Sequence, residues 1–157
     1  MSETNTMGVA YFYRITRSSL AGALRQLLKK SLAQKWRVAV RFVEQSQVDQ
    51  IDRSLWEVPE DSFLPHGLAG ELHESAQPVV LTTSTAGNSP DCLICVNGAG
   101  FEIDEAKDLS RVCILFEANN DEAISQSRRQ WKTLTDSGCA VQYWTEEKGG
   151  WTMKVEA

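Results

Sequence analysis

Apolar positions along this chain change period several times, and each change predicts an element. Residues 9–15 alternate aromatic and smaller side chains through Tyr11, Phe12 and Tyr13, the period-2 signature of a strand. The period then lengthens. Leu20, Ala23, Leu24, Leu27, Leu28 and Leu32 fall on one helical stripe, with Ser18 or Ser19 placed to cap its start. Lys29, Lys30 and Lys35 load its C-terminal end, where positive charge suits the helix dipole. Residues 37–43 are rich in β-branched side chains and predict a second strand. Ser46 caps a second helical stripe of Val48, Ile51, Leu55 and Trp56, which Pro59 stops. Residues 78–82 and 91–97 predict two strands around turn chemistry at 86–90. Residues 102–108 suit a single helical turn, and 111–116 another apolar strand. Asn119 or Asn120 caps the last long helix, Asp121 and Glu122 sit in its first turn, and Gly138 ends it. Residues 139–144 and 151–155 predict a closing hairpin.

Strands alternating with helices predict an α/β fold, a three-layer α/β/α domain with a mixed, largely parallel sheet. The closing hairpin and the pair of strands within 78–97 supply the expected antiparallel part. With 157 residues, and neither an internal repeat nor a linker, the expectation is one domain over 8–157. Residues 1–7 read as a frayed polar tail, in which Met7 is a second candidate start.

Composition narrows the functional classes. Apolar residues make up 42% and charged residues 24%, ordinary for a soluble domain. The start of the chain has neither the basic nor the apolar region of a secretory signal, so a cytoplasmic protein is expected. The net charge of −5 argues against a broad nucleic-acid surface, so any contact with DNA is expected to be indirect. Four cysteines include a C-x-x-C at Cys92 and Cys95, for which His66 and His73 are conceivable zinc partners. Residues three apart on a strand point to opposite faces, however, so these thiols are expected in the core rather than on a metal.

Enzyme signatures are weak. The turn after the first strand, Arg14-Ile-Thr-Arg-Ser-Ser, has no glycine with which to cradle a phosphate. Gly98 and Gly100 form a lone G-x-G. His66, between Pro65 and Gly67, reads as a loop side chain bonded to nearby backbone, and the acidic pairs at 60–61 and 146–147 as solvated loops. No cofactor is implied, although an α/β domain leaves a nucleotide- or metabolite-binding enzyme as the alternative class.

Two stretches suit partners instead. Residues 55–71 carry Trp56, Phe63, Leu64 and Leu68 between Pro59, Pro65, Gly67 and Gly70, too broken for a helix or strand. Taken singly, these side chains tuck onto the core. Taken together, Phe63 with Trp56, Leu64 and Pro65 makes an apolar patch for a partner. On the last helix, Arg128 and Lys132 are four apart and Trp131 lies between them, with Arg129 adjacent. Either Trp131 is core with Ile124 and Leu134 beside a solvated basic face, or it floors a pocket with a basic rim.

In order and spacing these residues resemble the chi subunit of bacterial DNA polymerase III. The resemblance runs from about Val9 to the C-terminus. It is carried by Phe12-Tyr13, Lys35-Trp36-Arg37-Val38, Leu55-Trp56, Ser62-Phe63-Leu64-Pro65-His66 and Gly67-Leu68-Ala69-Gly70-Glu71. Leu115-Phe116, Asn119-Asn120-Asp121, Arg128-Arg129-Gln130-Trp131-Lys132 and Val141-Gln142-Tyr143-Trp144 complete it. The resemblance implies a non-catalytic clamp-loader subunit with a nucleotide-binding-like fold lacking the phosphate loop. It implies two partners. One is the psi subunit, met by Trp56, Phe63, Leu64 and Pro65. The other is the acidic C-terminal tail of single-stranded DNA-binding protein, met by Arg128, Trp131 and Lys132. Family members often carry a further basic residue where this chain has Ile124.

Overall fold

The structure, a computed structural model, describes residues 9–57, 64–148 and 150–157. Chain order is β1 (Val9–Ile15), α1 (Leu20–Ala33), β2 (Val38–Arg41), α2 (Gln45–Trp56), β3 (Gly67–Leu68), β4 (Val79–Thr82), β5 (Cys92–Val96), α3 (Ile103–Lys107), β6 (Arg111–Glu117), α4 (Asp121–Asp136), β7 (Ala140–Glu147) and β8 (Gly150–Glu156). The strands form one sheet in the order β3-β4-β2-β5-β6-β1-β7-β8. All neighbours pair in parallel except β7 and β8. The α/β/α expectation holds.

Helices on both faces explain why β2, β4 and β5 are buried along their whole length rather than alternating. Leu24 and Leu28 of α1 and Val48, Ile51 and Leu55 of α2 pack on Val38, Val40, Val79, Leu81 and Ile94. On the opposite face, Ala106 of α3 and Ala123 and Leu134 of α4 pack on Phe12, Ile114, Phe116 and Val141. Strand β1 serves both layers by alternation: Tyr13 and Ile15 belong to the first, Ala10 and Phe12 to the second.

Local signals set most boundaries. The Ser19 hydroxyl accepts the Gly22 N–H at 3.0 Å, and the Asn120 side chain accepts the Ala123 N–H at 3.0 Å, so both expected caps form. Gly138 follows the end of α4 at φ 86°, a left-handed position that glycine takes without strain. Two expectations are corrected. Helix α2 is capped at Glu44, not Ser46, because Gln47 reaches back to accept the Val43 and Glu44 N–H groups at 3.1 and 3.0 Å. Strands β4 and β5 do not pair with each other; β2 lies between them and is parallel to both. Residues 83–91 are long enough to return the chain to the end of the sheet from which β4 set out. The two-residue strand β3 is a further element, unmarked in the sequence pattern, pairing Gly67 with Val80 and Leu68 with Leu81. No helix among the described residues is long and apolar enough to cross a membrane.

Candidate functional site

Helix α4 lies over the β1–β7 part of the sheet, and an open cleft of about 300 Å³ forms where helix and strands diverge. Its walls are aromatic. Trp131 meets Phe12 edge to face at 5.3 Å and Tyr143 at 6.2 Å, and Phe12 stacks with Tyr143 at 6.5 Å. Ile124 and Ser127, on the preceding turns of α4, extend one wall, and Val155 of β8 closes another. Helical spacing alone brings Ile124, Ser127, Arg128 and Trp131 to one face. Trp131 is half-buried, so it is both the margin of the core and the wall of the cleft.

The charge in this cleft has one sign. Among the described residues its lining includes Arg14 and Arg128 and no acidic side chain. Among the described residues neither arginine is in an ion pair. Lys132 is not brought to the cleft. Its amine bonds to Asp136 at 3.1 Å, with 78% of its side chain exposed. Arg129 is directed elsewhere, donating through Nε to Gln126 at 3.1 Å. Arg14, Tyr143 and Val155 were not singled out from sequence as site residues. The available signal was strand alternation, which puts Arg14 two residues after Phe12 on the face that α4 covers. The closing hairpin forms as expected, but Val155 comes opposite Tyr143 only through a bulge between Tyr143 and Trp144 that shifts the register by one residue and has no such signal.

The central stretch divides. Leu64 is 7% exposed and packs with the α1–α2 core, so it tucks in rather than contributing to an outer patch. Trp56 is 58% exposed at the end of α2, and Pro65 is exposed. Phe63 lies outside the described residues, as do Pro59 and the pair Glu60 and Asp61. His66 is buried. Its Nδ1 bonds to the Leu64 carbonyl and its Nε2 to Asp52 Oδ1, each at 2.8 Å. Asp52 also accepts the Trp56 indole N–H at 3.1 Å, and the Trp56 and His66 rings lie 5.1 Å apart. His66 thus bonds to nearby backbone as expected, and it also ties the loop to α2.

At the glycine-free turn after β1, backbone N–H groups do converge, but on the chain's own carboxylate. Glu146 Oε1 accepts N–H groups from Thr16 at 3.2 Å and from Arg17 and Ser18 at 2.8 Å. The Ser18 hydroxyl donates to its other oxygen. Burial raises the Glu146 pKa, and these donors more than offset that, leaving it below the ordinary carboxylate value. The expectation of a solvated loop at Glu146 is therefore corrected: β7, paired directly with β1, delivers this side chain into a nest of donors at the end of that strand. Cys92 packs in the α1 layer and Cys95 in the α4 layer, so the two thiols face opposite sides of the sheet. Burial pushes the Cys95 thiol up to about 12.

Residues 7–142 match the family described as DNA polymerase III chi subunit, HolC. A 61-residue stretch is 36% identical to DNA polymerase III subunit chi of Escherichia coli strain K12, covering 36% of this chain and 42% of that protein. That stretch spans less than half of the relative's length. With the family match extending over most of the sheet and all four helices, the chain belongs to the DNA polymerase III chi subunit family.

Proposed function

We propose that this chain is a non-catalytic adaptor subunit of the DNA polymerase III clamp-loader complex. On this reading it links a psi-like subunit to the acidic C-terminal tail of single-stranded DNA-binding protein during replication. The observation that carries the proposal is the α4 cleft, with aromatic walls, Arg128 at its rim and no acid in its lining. Such a site suits an apolar C-terminal residue whose free carboxylate is gripped by a planar guanidinium. Trp131 is the wall for the terminal side chain. Lys132, held at Asp136 outside the cleft, contributes only a screened point charge for acidic residues upstream. Trp56, Pro65 and Phe63 are the proposed surface for the psi-like partner, and Leu64 and His66, on either side of the exposed Pro65, are held in the core. Glu146 in the donor nest supports a subunit that holds no nucleotide phosphate at that turn.

The experiment is a fluorescence-anisotropy titration of an acidic tail peptide ending in phenylalanine. Arg128→Ala should weaken binding by about ten- to a hundredfold, because a charge-assisted contact contributes about 1.5–3 kcal/mol and each decade of affinity about 1.4 kcal/mol. Lys132→Ala should cost much less. Equal affinities for wild type and Arg128→Ala contradict the proposal.

A further inference from the structure

The cleft contains a second cation. Arg14 is the penultimate residue of β1, and it lines the cleft from the strand side while Arg128 lines it from the helix. Its Nε is buried and has no hydrogen-bond partner. A buried donor without an acceptor destabilises the folded chain, and two cations facing one cleft repel. Among the described residues the lining offers no carboxylate to relieve either. An anion entering the cleft relieves the repulsion between the two guanidinium groups, and it must come from the ligand.

We propose that Arg14 is a binding residue for the terminal α-carboxylate of the ligand, acting with Arg128 as a two-arginine clamp. This rests on the tail-binding function proposed above and adds a second guanidinium, from β1, to the grip on the free C-terminus. The placement follows from strand geometry. Arg14 lies two residues beyond Phe12 on the same face of β1, an advance of about 7 Å. An aromatic side chain seated against Phe12 and Trp131 carries its own carboxylate a similar distance from its ring, towards the end of β1. Acidic residues upstream of it leave the cleft and meet solvent instead.

The test uses three labelled peptides: the acidic tail ending in phenylalanine, its C-terminal amide, and a free-acid version with Asn and Gln replacing the acidic side chains. They are titrated against the full chain, Arg14→Gln, Arg14→Lys and Arg128→Ala. Arg14→Gln should weaken the free-acid tail by about tenfold. It should also shrink the penalty for amidation, because the group lost and the group blocked are partners. The penalty for neutralising the acidic side chains should be the same in wild type and Arg14→Gln. Arg14→Lys should fall between wild type and Arg14→Gln, as a point charge replaces a fork. The unliganded Arg14→Gln chain should melt no lower than wild type, because the substitution removes an unpaired buried donor.

Loss of binding in Arg128→Ala with none in Arg14→Gln overturns this inference alone. So does an Arg14→Gln effect that tracks the side-chain-neutralised peptide instead of the amide, or a lower melting temperature accompanying lost binding. No binding of the tail to wild type overturns both this inference and the function on which it rests.

Discussion

Trp56 and Leu64 divide the central stretch between surface and core, and substitutions should separate them. Leu64→Ala removes a core side chain and should cost about 2–3 kcal/mol, with the midpoint of thermal unfolding falling accordingly. Trp56→Ala should change stability little and weaken a psi-like partner instead, as exposed aromatics at interfaces do. Calorimetry and a pull-down read the two effects independently. Glu146 gives a pH-dependent test. Its folded pKa is depressed, so its contribution to stability is fully present above the unfolded value and is lost as pH falls through the folded one. Glu146→Gln should therefore melt below wild type at neutral pH, and the gap should close below pH 4.5, the ordinary carboxylate value. A gap that persists unchanged in acid places the effect in packing rather than in the carboxylate. Residues of this kind were only partly legible in sequence. Arg128 and Trp131 could be placed on one helical face from spacing, whereas Glu146 reaches the Thr16–Ser18 turn across 128 to 130 residues of sequence.

At the scale of elements, β8 helps to shape the cleft. It lies beyond the family match and pairs antiparallel with β7. Trp151 ties the hairpin down, meeting Tyr13 edge to face at 5.3 Å and donating to Gln26 at 3.2 Å. Val155 then walls the cleft while remaining 51% exposed. A charge placed there should act on the ligand rather than on the fold. Val155→Asp should weaken an acidic tail and Val155→Lys strengthen it, each by about three- to tenfold at low salt and less at high salt. Anisotropy at two salt concentrations checks this, and changes of the same sign for both variants would attribute the effect to shape. Helices and the longer strands could be read from period and caps because those signals are local. The order of β2, β4 and β5 could not, because three buried apolar strands carry no mark of which is central. Helix α2 begins early because a side chain at Gln47, not the expected serine, satisfies the first N–H groups.

For the whole molecule, the proposed adaptor uses two separate regions: α4 with β1, β7 and β8 on one face of the sheet, and the end of α2 with residues 64–66 on the other. On the proposed function, that separation would let both partners bind at once. It also requires no nucleotide, and neither ATP nor GTP should bind at low micromolar concentration by calorimetry, given Glu146 in the donor nest. The most direct measurement uses the five tryptophans as reporters. In a ¹⁵N–¹H spectrum each indole N–H gives one signal, and Trp131 and Trp56 stand in the two proposed sites. Titrating the acidic tail peptide should shift the Trp131 signal and leave that of Trp56 in place. Adding a psi-like subunit to the same sample should then perturb Trp56 without releasing the peptide. A tail peptide that shifts Trp56 but not Trp131, or that is expelled when the second partner binds, contradicts the account.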